Sequence, residues 1–326
     1  MEPGNTWGSK EADPELQTLV SALSAGPVGP SDALHQINVS RVMQTCTQDG
    51  TLLKPSAPAM QLDSTYTAAA RRQTAQDNGI AHVRSDTLDL LCVPVADARC
   101  LQVWHTVSAA KAATGSGPHN HIILAANITR ALNISVAELQ TNAASIVASF
   151  GGPADSSKWF LAREYYSGET REVSVGAPLV LGPQKLKPQV NATAYKQRLL
   201  LGCFYAGALL QECAGRGFTH EYCTPFSLWT LTPITPGLNF LLVGEKDKYV
   251  ALSPQRFSDY SANQAVVGHP GHLKATVKGS PGEKVTVEAA KDGGMVEVAC
   301  EIGASGTSKL DCQWGSLPND SKCSCA

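Results

Sequence analysis

Long apolar runs and clusters of like charge are both missing from this chain. The longest apolar stretch, Leu199 to Leu210, is interrupted by Gly202 and Gly207. It falls well short of the roughly 20 residues that a membrane-spanning helix needs, so no membrane span is expected. Lysine and arginine total 26 against 28 aspartates and glutamates, a formal net charge of −2, and no Lys/Arg run marks a phosphate-tracking surface. Nucleic acid is therefore not an expected partner. Charged residues make up only 17% while hydrophobic residues reach 43%, which excludes the composition of a disordered chain and predicts a packed core. Several chemistry-bearing motifs are absent as well: Gly-x-Ser-x-Gly, a Walker-type phosphate loop, His-Glu-x-x-His and Gly-x-Gly-x-x-Gly. No cofactor is expected.

Ten cysteines are present, and how they are used bears on the compartment. No Cys-x-x-Cys occurs, and Cys323-Ser324-Cys325 has no second pair at ligand spacing, so no zinc site is expected. Short separations suit tight loops instead, because disulfide-bonded Cα atoms approach within about 7 Å. Cys92/Cys100, Cys213/Cys223 and Cys300/Cys312 are the expected pairs. For the last, Val296, Val298 and Cys300 share one strand face, as do Leu310 and Cys312, which predicts two thiols pointing inward across one hairpin. The alternative is a set of reduced core cysteines in a cytosolic domain. Asn-x-Ser/Thr triplets begin at Asn38, Asn127, Asn133, Asn191 and Asn319 and favour the secretory pathway. Asn38 ranks below the other four, because it is placed to cap a helix and a side chain folded onto backbone amides is not free to carry a glycan. Met1 to Glu15 is polar and acidic, unlike a secretory leader. The expectation is a secreted or lumenal protein whose natural N-terminus lies upstream of Met1.

The length of 326 residues suggests more than one domain. Asp13 and Pro14 open a helix with Leu16, Leu19, Val20 and Leu23 on one stripe and Gly26 as its stop. A second helix is expected over 39–48, with Val39, Val42, Met43 and Cys46 on one face. Helical periodicity then largely stops, and the rest reads as strands. Residues 100–107, His119 to Asn127, Val173 to Leu181, Leu199 to Leu210, Phe226 to Leu231, Leu238 to Val243 and Lys248 to Leu252 are candidates. In the tail, Leu273, Ala275 and Val277 alternate with polar residues, Pro281-Gly282 turns the chain, and Val285 and Val287 resume the alternation. Half-buried antiparallel strands with polar outer faces follow.

The order of helix, Gly26-Pro27, Ser31-Asp32, helix, then Asp49-Gly50, Leu53-Lys54-Pro55 with Pro58 and Asp63, resembles the end of the barrel in raffinose synthases and related α-galactosidases. The match covers roughly residues 10–66. It implies a mainly β protein, with a C-terminal antiparallel β-sandwich region preceded by a two-helix remnant of a (β/α)8 barrel. The expected divisions are 1–65 for the barrel remnant, 66–262 for a β-rich domain and 263–326 for a small β module, the last set off by a break near Ser258 to His272. Enzymes of that family resemble one another in using two carboxylates about 5–5.5 Å apart, on barrel strands earlier than the Ser-Asp strand. A whole barrel takes about 250 residues, so no catalytic residue is expected here. Asp32 is implied either as a pocket-wall residue that bonds a sugar hydroxyl or as a cap for the following loop.

The leading expectation is thus the non-catalytic C-terminal part of a glycosidase-like protein with carbohydrate as its partner. The rival is a free-standing β-sandwich that binds carbohydrate or acts in adhesion. His119 and His121 share a strand face and His269 and His272 share a turn, yet neither pair has a third ligand, so hydrogen-bonded or solvent-facing histidines are expected. His105 should be a satisfied core residue. Trp7, Trp104, Trp159, Trp229 and Trp314 are able to stack on sugars, while Trp159, beside Phe160 and near Tyr165-Tyr166, is expected in the core.

Overall fold

The computed structural model describes residues 14–29, 37–66, 102–112, 117–126, 128, 131–149, 157–182, 226–235, 238, 240–265, 270–291, 294–314 and 321–326. The chain is mainly β, with antiparallel sheets. A six-stranded sheet is built from β1 (Met60–Gln61), β2 (Gln102–Ala109), β3 (His119–Ala126), β5 (Trp159–Glu164), β6 (Thr170–Ser174) and β8 (Phe226–Pro233), in the order β1-β2-β3-β8-β5-β6. The short ribbon of β4 (Leu132–Ile134) and β7 (Leu179–Leu181) lies apart from it in hydrogen bonding.

Both faces of this sheet are buried, which explains why β3 reads as an apolar run rather than an alternation. On one face Ile122, Leu124, Phe226 and Leu228 meet Leu19, Ala22 and Leu23 of helix α1 (Pro14–Leu23), together with Leu53 and Tyr249. On the other, Val103, Ile123, Ala125, Phe160, Ala162 and Leu231 pack with the ribbon and with helix α3 (Val136–Ser149). α1 keeps Leu19 and Leu23 fully buried but leaves Val20 in solvent, so its stripe is narrower than expected. Helix α2 is only Val39–Met43 and buries no side chain, because the chain turns at Gln44 and Thr45 and Cys46 bridges Leu52. The expected extension to residue 48 is corrected.

α3 was not expected at all. Its buried stripe, Val136, Leu139, Ala143 and Val147, has helical spacing. Ser135 immediately precedes it and Glu138 is its third residue, the sequence pattern of a capping box, although the Glu138 carboxylate accepts from Ser64 N–H and Oγ.

The C-terminal part is two sheets facing across one core. β10 (Phe257–Asn263), β11 (Gly271–Lys278), β14 (Thr307–Trp314) and β15 (Ser321–Cys325) form one sheet in that order. β13 (Gly294–Glu301), β12 (Lys284–Lys291) and β9 (Leu241–Glu245) form the other. Leu273, Ala275, Val277 and Leu310 from the first meet Leu242, Val285, Val287 and Val298 from the second. The alternation read from the tail therefore places the inner faces, but β11 and β12 are not hairpin partners. Residues 279–283 carry the chain from one sheet to the other, so the two apolar stripes approach the core from opposite sides. The boundary at 262/263 falls inside β10, whose Ala262 and Asn263 both pair with β11. Lys248 to Leu252 is a run of turns rather than a strand. Gly244 in β9 has φ 131°, and a Cβ there would strike the Ala251 carbonyl, so this bend needs glycine.

Candidate functional site

Asp32 lies outside the described residues, as do Asn127, Asn191, Asn319, Cys92, Cys100, Cys213, Cys223, His269 and Trp7. Asn133 stands exposed on β4. Asn38 does cap α2: its Oδ1 accepts the Arg41 N–H at 3.2 Å.

Cys300 and Cys312 are both disulfide-bonded, but not to each other. Cys300 joins Cys325 and Cys312 joins Cys323, with Cα separations of 5.0 and 4.0 Å. The reason is topological. β13 and β14 are successive in sequence yet belong to opposing sheets, and β15 adds beside β14. Cys312 and Cys323 are directly opposed across β14 and β15. Lys309 and Ala326 exchange both backbone bonds, so the Cys312/Cys323 pair, three positions along, is a close non-hydrogen-bonded one. Cys325, two residues on, shares its inward face and joins Cys300 where the edge strands β15 and β13 of the two sheets meet. These two bonds are compatible with an extracellular or lumenal protein. No described helix is long and apolar enough to cross a membrane.

Three polar groupings merit comparison as sites. The first is a histidine cluster on the α3 side of the large sheet. His105 Nε2 and His121 Nδ1 are 3.0 Å apart, one donating to the other, with the rings stacked. His119 and Phe160 both meet His121 edge to face. Burial, with the His121 charge adding, holds His105 well below the usual imidazole range, so it is neutral. Among the described residues no group of three His, Cys, Asp or Glu side chains is placed to hold a metal ion.

The second grouping has the outward form of an acid/base pair. Glu245 is raised above the ordinary carboxyl range by burial, against the pull of Arg256 and Lys248. Burial also pushes Glu283 upward, but the Arg256 hydrogen bond and charge and the backbone N–H groups of Ser280 and Gln48 hold it below that range. Split carboxylates are the mark of catalytic acid/base assignments. Here, however, the fully buried Arg256 occupies the space between them, donating to Glu245 at 2.5 and 3.1 Å and to Glu283 at 2.7 Å. Its third partner is the Lys278 carbonyl, at 2.5 Å. Lys248 then donates to the Met43 and Cys46 carbonyls at 2.5 and 2.7 Å. The group clamps the end of α2 to the C-terminal sheets and leaves no place for a substrate atom.

The third grouping lies only partly at the surface, with Tyr249 fully buried. Tyr165 and Tyr166, in the turn after β5, are half-buried. Tyr165 packs against Tyr166 and Tyr249 with ring centroids 4.8 and 5.4 Å apart, and Tyr166 against Phe226 at 5.7 Å. Gln44 joins them: its Nε2 donates to Tyr165 Oη at 3.2 Å, and Tyr249 Oη donates to its Oε1 at 2.9 Å. Burial raises all three phenols above their ordinary range, with neighbouring acidic groups adding to the effect, so they remain neutral. Neutral aromatic faces beside an amide can stack and hydrogen-bond, which suits binding rather than proton transfer. The sequence pointed to tryptophans for that task. Trp229 and Trp314 are instead core residues. Trp159 is 50% exposed and not in the core as expected, because it opens β5 opposite Ser174 at the rim of the sheet. The Tyr165/Tyr249/Gln44 group was missed because its members are distant in sequence.

No family model matches this chain, and no curated protein matches it.

Proposed function

We propose that the chain is the non-catalytic C-terminal part of a secreted or lumenal glycosidase-like protein, in which residues 1–65 end a (β/α)8 barrel and the sheets form its β-region. The observation that carries this reading is the location of exposed apolar side chains. Of the eight large ones described, five fall within residues 20–66: Val20, Ile37, Val39, Met60 and Tyr66. The segment that resembles the end of a barrel thus carries most of the large exposed apolar side chains among the described residues, as a surface normally covered by more protein would. Its inner side, through Leu19, Leu23 and Leu53, is fully buried on the sheet. The half-buried Tyr165/Tyr166 group, beside α1 and Gln44, supplies a carbohydrate-contacting edge at that junction.

Incubation of the purified chain with aryl α-galactosides and with raffinose tests this reading. No turnover is expected, and turnover that survives purification would overturn it. Calorimetric titration with the same sugars should show binding that Tyr165→Ala weakens at least about tenfold, the scale of a lost stacking contact.

A second reading, a free-standing carbohydrate-binding or adhesion module, is favoured by the completeness of the burial on the inner side of α1. A monomer that remains dispersed despite the exposed Val20 and Val39, and that binds glycans as a whole chain, would support it over the first.

A further inference from the structure

We propose that Asn133 is an N-glycosylation site, receiving an oligosaccharide on the outer side of the β4/β7 ribbon; this rests on the secretory reading given above. Two of the five Asn-x-Ser/Thr triplets have a described asparagine, and they differ in what that side chain does. Asn38 uses its Oδ1 on the Arg41 N–H as the cap of α2. Asn133 is the middle residue of β4, so it points opposite to Leu132 and Ile134, which pack toward the core.

Its partner across the ribbon is Val180, which therefore faces the same way and is itself 42% exposed. Leu179 and Leu181, on either side of Val180, are buried. The outer side of the ribbon is thus open at both members of the pair, with an aliphatic surface beside the amide for the apolar face of a first sugar. Ser135, whose hydroxyl completes the triplet, is exposed at the start of α3, and the backbone from Leu132 to Ile134 is extended.

The co-reactant is an oligosaccharide carried on a polyprenyl diphosphate. Asn133 Nδ2 bonds to C1 of the reducing-end sugar while the bond from C1 to the diphosphate oxygen breaks. One amide proton is lost to base, the polyprenyl diphosphate leaves, and no electron is transferred. The acceptor amide must be free to enter this step, which separates Asn133 from an asparagine held by a helix terminus.

The test is expression of the full chain behind a secretion leader in a eukaryotic host. Enzymatic deglycosylation in heavy-oxygen water, followed by peptide mass spectrometry, reads each site. Heavy aspartate is expected at position 133, and Asn133→Gln should lower the intact mass by one oligosaccharide. Ser135→Ala should do the same, whereas Ser135→Thr should retain it. Asn133 unmodified while other triplets of the same secreted chain carry glycan would overturn this site and leave the secretory reading standing. A secreted chain with no glycan at any triplet would overturn both.

Discussion

His105 and His121 face each other across β2 and β3 with ring centroids 5.2 Å apart and planes within 17° of parallel. Each is diagonal to the other in the strand register, since His105 pairs with Ile123 and His121 with Val107. Folding places the His105 ring where it resists protonation, whereas the unfolded chain leaves it free to accept a proton near pH 6.5.

Stability should therefore be complete above about pH 6.5 and decline as the pH falls toward the depressed value, because the unfolded state then binds more protons. The slope from one such site is at most about 1.4 kcal/mol per pH unit. Glu164, on β5, accepts from the Tyr166 and Ser167 N–H groups. Urea midpoints at pH 7.5 and 5.5 should differ, and His105→Phe should reduce the difference. An unchanged difference would remove the pair as its source.

Arg256→Met should destabilise the protein by about 3–5 kcal/mol, because it leaves Glu245 and Glu283 buried without their shared partner. Adding Glu245→Gln and Glu283→Gln to that variant should recover part of the loss. Denaturant midpoints of the single and triple variants measure it. A cost below about 1 kcal/mol would mean the clamp is not desolvated in solution.

Non-reducing peptide mapping should find Cys300 with Cys325 and Cys312 with Cys323. Opening either bond with a Cys→Ala pair should cost about 2–4 kcal/mol, the larger cost being expected for the 25-residue separation than for the 11-residue one. A Cys300 to Cys312 peptide would contradict the placement of β13 and β14 in different sheets.

Gly271→Ala should lower the melting temperature by several degrees for an expected cost of about 1–3 kcal/mol, because a Cβ at this position would enter the indole of the buried Trp314. Trp314 fluorescence should shift to the red in the same variant. Retained stability with an unshifted emission would show that the indole moves aside freely.

Alternation and capping carried much of this structure in plain view. The inward residues of β11, Leu273, Ala275 and Val277, and those of β12, Val285 and Val287, were legible because a half-buried strand must repeat every two residues. Which strand lay beside which was not legible, since a turn at Pro281-Gly282 serves a hairpin and a sheet-to-sheet crossing alike. The same ambiguity misassigned the partner of Cys300. Helix α3 was available in Ser135, Glu138 and the spacing of Leu139, Ala143 and Val147, but the surrounding strand pattern masked it. His105 read correctly as a core residue, while its bond to His121 depends on strand register, which residue types alone do not specify. Gln44 could not be linked to Tyr165 and Tyr249 from sequence, because separations of 121 and 205 residues are closed only by the fold.

The order of the large sheet also governs how quickly this protein can assemble. β8 lies between β3 and β5, yet it follows β3 by 100 residues, from Ala126 to Phe226. Until it arrives, both neighbours present bare hydrogen-bonding edges, and the loop-closure entropy must be met before either pairing is gained. Such a topology favours folding on the millisecond-to-second scale over the microsecond scale of local helical folds. During that interval β3, with its run from Ile122 to Ala126, has an edge open to pairing with another chain, so a holding chaperone would find a target there.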